Sequence, residues 1–140
     1  SFRALEAADV AAFQTYLEAR RMPRETEDEK RRRGLATMEA LARATDVPIQ
    51  MAEAALEVLV LVERVLELGA AVKLRAPGDL HASVELAEAT FRISVGNARE
   101  NLGGLDAATA RDAGARLEAT SRRFEEAFAR LRAPHAGRGA

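Results

Sequence analysis

The candidate chemical side chains of this 140-residue sequence are mainly carboxylates, amides and arginines, because it has no cysteine and only two histidines. A sequence without cysteine has no thiolate zinc site, no cysteine nucleophile and no disulfide framework. Any imidazole catalysis would have to use His81 or His135, and a metal site built on several histidines is excluded.

Asp9 is the first candidate for proton transfer. A predicted first helix over about residues 1–20 has one apolar face, made by Phe2, Leu5, Ala12, Phe13 and Tyr16. Asp9 falls in the gap of that face, where burial would disfavour the charged carboxylate and suit a general acid or base. A structural carboxylate paired with an arginine or a helix N-terminus would be placed in the same way, and the pattern does not decide between the two.

A stripe of small polar side chains is the second candidate. It lies along a helix predicted from the turn at Pro77 to about Leu102 and consists of Asp79, Ser83, Thr90, Ser94, Asn97 and Asn101. Such residues are unusual on a surface, and each needs a partner in a core. They fit a polar ligand cleft and a close helix–helix contact with back-bonding to carbonyls equally well. His81 is expected on the solvated face of this helix, opposite its apolar core face.

The elements that position these residues are predicted to be helices, because hydrophobic residues make up 48% of the sequence and aromatic residues 4%. We expect an all-α, up-and-down bundle of about five helices in residues 1–132, with a disordered tail at 133–140. Thr26 begins the second helix with a capping box. The stretch 45–48 is predicted to break the pattern and to start a new helix capped by Asp46. Asp106 is predicted to cap the last helix.

The helix predicted from Pro48 to Leu68 is apolar around most of its circumference, so it should be central and covered by its own chain or by a partner. No nucleic-acid partner is expected at a net charge of −1. The basic run 30–33 is neutralised by the acidic residues 27–29. Charges interrupt the most apolar stretch, 54–72, so we expect no membrane association and a cytoplasmic protein.

Five features in order give a family resemblance. They are Asp-x-x-Ala-Phe at 9–13, a proline followed by an acidic helix start at 22–30, Ala-Thr-Asp-Val-Pro at 44–48 before the long apolar helix, the helix start at Asp79, and Asn-Ala-x-x-Asn-Leu at 97–102. The sequence thereby resembles the cyclodeaminase/cyclohydrolase family over about residues 5–130. Members usually carry a Thr-Pro-Gly-Gly-Gly-Ser element that has no match here, and Arg24 stands where a lysine is usual.

The resemblance implies a tetrahydrofolate derivative as substrate, a small-molecule folate partner, a homodimer and no required metal. The implied reaction is either ammonia loss from 5-formiminotetrahydrofolate or water addition to 5,10-methenyltetrahydrofolate. Asp9 and Asn97 are the expected catalytic residues, and Asn101 and Asp79 are expected to bind substrate. Arg24 and Arg33 are expected to pair with the anionic folate tail. The alternative is a non-catalytic helical dimer or a folate-binding module derived from the family.

Overall fold

The computed structural model describes residues 1–69 and 77–133. These residues form four helices: α1 (Phe2–Arg21), α2 (Glu27–Gly69), α3 (Pro77–Leu102) and α4 (Ala107–Arg132). No strand occurs in either described range, in agreement with the all-α prediction. The tail predicted at 133–140 lies outside the described residues apart from Ala133, as does His135.

The prediction of five helices was wrong, because the break expected at residues 45–48 does not occur. Helix α2 is continuous over 43 residues and contains Pro48 in its interior. At a rise of about 1.5 Å per residue it is about 65 Å long. An interior proline removes one helical hydrogen bond, here the one to the carbonyl of Ala44. The side chain of Asn101 in α3 donates to that carbonyl at 3.0 Å, which supplies the missing hydrogen bond.

A cluster of charges also bridges the segment around Pro48. The Arg116 guanidinium of α4 donates to both carboxylate oxygens of Glu53 at 2.6 Å and to Asp46 at 2.6 Å. The hydrogen bond with Glu53, together with the one to Asp46, raises the pKa of Arg116 above its ordinary value. Asp46, which the sequence predicted to cap a new helix, instead lies within the continuous helix α2 and links it to α4 through Arg116.

The helix starts that local signals predicted are present. Glu29 Oε2 accepts from the backbone N–H of Thr26 at 2.9 Å, and Thr26 Oγ1 accepts from the N–H of Glu29 at 3.2 Å. The N–H of Thr26 lowers the pKa of Glu29. At α4, Asp106 accepts from the N–H groups of Ala108 and Thr109 at 3.0 Å. The hydroxyl of Thr109 also donates to it and lowers the pKa of Asp106.

The main core lies where α3 and α4 pack on the C-terminal half of α2. Its buried members include Ile49, Leu56, Leu59, Val62, Val84, Phe91, Val95, Leu117 and Phe124. The rings of Phe91 and Phe124 stack at a centroid distance of 3.9 Å. This core fixes α3 on one side of α2.

Helix α1 packs separately, on the N-terminal half of α2. The contact uses Ala12 of α1 with Ala44 and Val47 of α2. In the described ranges the backbones of α1 and α3 do not come together, although both lie on α2. A gap therefore remains between α1 and α3, and its floor is the segment of α2 that contains Pro48.

The apolar C-terminal half of α2 is only partly covered. Leu61 and Leu68 are 57% and 71% exposed, and Val65 is also exposed. The residues that the structure describes thus leave this half of α2 partly exposed. Among the described helices, none combines the length and apolarity needed to cross a membrane.

Candidate functional site

The gap between α1 and α3 is a cleft of about 230 Å³. Helix α1 supplies Asp9, Phe13 and Tyr16, and α3 supplies Asn97, Glu100 and Asn101. The floor is Leu41, Ala44 and Pro48 of α2.

Helical spacing explains why each wall presents its three residues together. Positions 9, 13 and 16 are four and three residues apart, so they share one face of α1. Positions 97, 100 and 101 likewise share one face of α3. The structure thus brings together three predicted site residues that are far apart in the sequence: Asp9, Asn97 and Asn101.

The cleft is open to solvent along one side. Asp9 is half-buried, and Asn97 and Glu100 are exposed. Phe13, which the sequence placed on the apolar face of α1, is 57% exposed at the cleft. An exposed ring beside carboxylate and amide groups is suited to a flat ligand that also forms hydrogen bonds.

The carboxylates and amides of the cleft have complementary chemistry. Asp9 and Glu100 are able to accept or donate a proton, whereas Asn97 and Asn101 donate and accept hydrogen bonds without changing charge. The Asn101 amide is already engaged at one end through its bond to Ala44.

The other three predicted site residues do not line the cleft. Arg24 is exposed in the connection between α1 and α2. Arg33 donates through Nε to the carbonyl of Arg20 at 3.1 Å, near the end of α1. Asp79 is in the first turn of α3, where its backbone carbonyl accepts from the hydroxyl of Ser83 at 2.8 Å.

The predicted polar stripe on α3 has two different parts. Ser83 back-bonds to a carbonyl, as the helix-contact interpretation expected. Ser94 is buried, and its hydroxyl has no hydrogen-bond partner within the part of the chain that the structure describes. Only the C-terminal members, Asn97 and Asn101, reach the cleft, so the ligand-cleft interpretation fits this end of the stripe.

Sequence reasoning missed Tyr16 and Glu100 as lining residues and Arg20 beside them. The Arg20 guanidinium donates to the Tyr16 hydroxyl at 3.2 Å and lies 5.8 Å from the centre of its ring. The signal for Glu100 was its helical spacing from Asn97. Tyr16 and Arg20 are also four residues apart.

Across residues 1–69 and 77–133, no group of three or more histidine, cysteine, aspartate or glutamate side chains is arranged to hold a metal ion.

The fold and the cleft together define an all-helical protein with an open site of carboxylates and amides between two helices that share a third as their floor. Comparison with known proteins identifies its family. The model of the formiminotransferase-cyclodeaminase family matches residues 1–119, and the chain belongs to this family. The resemblance drawn from the sequence motifs is confirmed.

Two curated relatives agree with this assignment. Over 100 residues the chain is 37% identical to a methenyltetrahydrofolate cyclohydrolase of Methylorubrum extorquens, an alignment that covers 71% of this chain and 47% of that protein. Over 46 residues it is 44% identical to the formimidoyltransferase-cyclodeaminase of Sus scrofa, covering 33% of this chain and 8% of that protein. The chain thus spans less than half the length of either relative.

Proposed function

We propose that this protein acts on a one-carbon derivative of tetrahydrofolate, as a methenyltetrahydrofolate cyclohydrolase or a formiminotetrahydrofolate cyclodeaminase. The observation that carries the proposal is the cleft in which Asp9, Asn97 and Asn101 meet. Membership of the family and the names of the two relatives supply the substrate class.

Asp9 is the proposed proton-transfer group. In cyclohydrolysis, water adds to the carbon between N5 and N10 while the carboxylate takes a proton from that water; a proton is then delivered to the nitrogen that leaves the carbon. In cyclodeamination, N10 attacks the formimino carbon and loses its proton, and the departing ammonia receives one. Both reactions need one group that accepts and returns a proton, which a half-buried carboxylate is able to do.

Asn97 and Asn101 are proposed to orient the ligand or the attacking water, and the exposed ring of Phe13 to stack on the pterin. The cleft, at about 230 Å³, is smaller than the roughly 300 Å³ at the lower end of common ligand pockets, so the folate tail must extend beyond it. The Arg20 guanidinium donates to the Tyr16 hydroxyl at the cleft wall, and Arg33 donates to the backbone carbonyl of Arg20. They are the proposed partners of the tail carboxylates, with Arg24 as a further contact and Asp79 as a more distant substrate contact.

The test uses both substrates with the purified chain. Loss of 5,10-methenyltetrahydrofolate is followed by its absorbance, and 5-formiminotetrahydrofolate is followed by ammonia release. Acceleration over buffer with either substrate supports an enzyme and identifies the reaction. Binding of a stable folate without acceleration would instead show a folate-binding module, and no effect and no binding would contradict the proposal.

A homodimer is also proposed, supported by the exposed apolar residues Leu61, Val65 and Leu68 of α2. Exposed leucines in one stripe are typical of a surface that another chain covers. Light scattering should give twice the 15.1 kDa mass of the chain, and Leu61→Glu with Leu68→Glu should reduce it toward one chain. A wild-type protein of 15.1 kDa in solution would contradict the dimer.

A further inference from the structure

Pro48 creates a local vacancy in the hydrogen-bond ladder of α2. In an α-helix each N–H donates to the carbonyl four residues before it, so the carbonyl of Ala44 would pair with the N–H of residue 48. Proline has no N–H, and both Pro48 and Ala44 are buried. A buried carbonyl without a donor is costly, so this position requires a partner from outside the helix.

Asn101 supplies that partner from α3. Its Nδ2 lies 3.0 Å from the Ala44 oxygen, across 57 residues of sequence. A carbonyl oxygen only accepts, so the amide must turn its NH₂ group toward Ala44. Because the amide group is planar, this orientation of Nδ2 also determines the position of Oδ1, which is a hydrogen-bond acceptor. No protein donor in the described ranges reaches Oδ1, although Asn101 lines the cleft.

We infer that Pro48 is a positioning residue for the cleft. By freeing the Ala44 carbonyl it orients the Asn101 amide, so that Oδ1 forms a fixed acceptor for an N–H edge of the bound ligand. The identity of that ligand rests on the proposed function. A pterin ring has such an edge in its N3–H and 2-amino groups, and these lie away from the carbon that reacts. The Pro48–Asn101 pair therefore determines how the ring binds and takes no part in the bond changes.

The first test is a double-mutant cycle on thermal stability, which needs no substrate. Asn101→Ala leaves the Ala44 carbonyl unpaired and should lower the melting temperature by about 3–6 °C. In a Pro48→Ala background the backbone N–H of the new alanine donates to the Ala44 carbonyl. Asn101→Ala should then lower the melting temperature by less than about 2 °C. The control is Ser83→Ala, at the other end of α3, which should have the same effect in both backgrounds.

The second test measures binding of 5-formyltetrahydrofolate by calorimetry. Asn101→Ala should weaken binding about tenfold, because a ligand donor loses its acceptor. Pro48→Ala should weaken it less, about threefold, since the amide remains but is no longer held in place. The double variant should bind like Asn101→Ala. A positioning effect should also raise KM in catalysis and leave kcat within about twofold.

The outcomes separate the two proposals. Equal effects of Asn101→Ala in both backgrounds, or wild-type binding by Pro48→Ala, would overturn the positioning role even if the protein is an active enzyme. A wild-type protein that neither binds nor converts a folate would contradict the proposed function and the pterin contact together. In that event non-additive changes in melting temperature would still show that Pro48 determines the orientation of the Asn101 amide.

Discussion

We expect Arg116 to stabilise the packing of α4 against the segment of α2 that contains Pro48. Its guanidinium binds Glu53 through two hydrogen bonds and Asp46 through a third, all at 2.6 Å. Arg116→Met keeps much of the aliphatic stem and removes all three. The Arg116 side chain is 42% exposed, that of Glu53 is 35% exposed and that of Asp46 is 46% exposed. Solvent therefore screens these charges, and the stabilisation by each ion pair should lie at the upper end of the range for exposed pairs.

The expected loss is therefore about 1–2 kcal/mol for the two ion pairs together. A chain of this length has an unfolding entropy of about 0.3 kcal/mol/K, so the melting temperature should fall by about 3–7 °C. The assay is thermal denaturation followed by circular dichroism at low salt and in 1 M NaCl. Because the Debye length falls to about 3 Å in 1 M salt, the difference from wild type should shrink there.

Arg43→Met is the matched control. Among the residues that the structure describes, Arg43 pairs only with Glu39, at 2.8 Å, and both side chains are more than two thirds exposed. Its loss should cost no more than about 0.5 kcal/mol. If Arg116→Met is as mild as Arg43→Met, or if its effect is the same at both salt concentrations, the reasoning about the charge cluster is wrong.

Three further predictions concern local features. Ser94→Ala should raise the free energy of unfolding by about 1 kcal/mol in urea denaturation, because it removes a buried hydroxyl that has no hydrogen-bond partner in residues 1–69 and 77–133; a destabilised variant would show that the hydroxyl is satisfied. Gly34→Ala should stabilise by about 0.5–1 kcal/mol, since Gly34 is inside α2 and an added Cβ would meet no atom within 4 Å; a loss of stability would contradict this. The Thr26 N–H lowers the pKa of Glu29 in the folded protein from 4.5. Its stabilising effect is thus present above pH 4.5 and lost as the pH falls through the lower, folded-state value. Glu29→Gln should make stability less dependent on pH below 4.5, and an unchanged pH profile would argue against the capping interaction.

Features set by neighbouring residues could be predicted from the sequence. The capping box at Thr26 and the cap at Asp106 involve groups two to four residues apart, and both are present. The α1 helix and the helical class follow from periodicity and composition. The motifs at 9–13 and 97–102 pointed to the family and to three residues of the cleft.

The features that were missed depend on distant contacts. Asn101 of α3 pairs with the Ala44 carbonyl that Pro48 leaves free, and Arg116 of α4 contacts Glu53 and Asp46, which precede it by 63 and 70 positions. Neither contact is visible in local propensity, which therefore favoured a break. The exposure of Phe13 and the position of Glu100 likewise depend on the width of the gap between α1 and α3, which packing on α2 determines.

The most direct test of the account is the effect of Asp9→Asn on the loss of 5,10-methenyltetrahydrofolate absorbance, compared with Asp112→Asn, the same change at an exposed carboxylate of α4 that does not line the cleft. Removal of a general acid–base group typically costs about 10² to 10⁴ in rate. We expect wild-type protein to accelerate the loss over buffer, Asp9→Asn to reduce that acceleration at least about 100-fold, and Asp112→Asn to keep it within about threefold. Wild-type protein no faster than buffer, or an Asp9→Asn variant as active as wild type, would contradict the account.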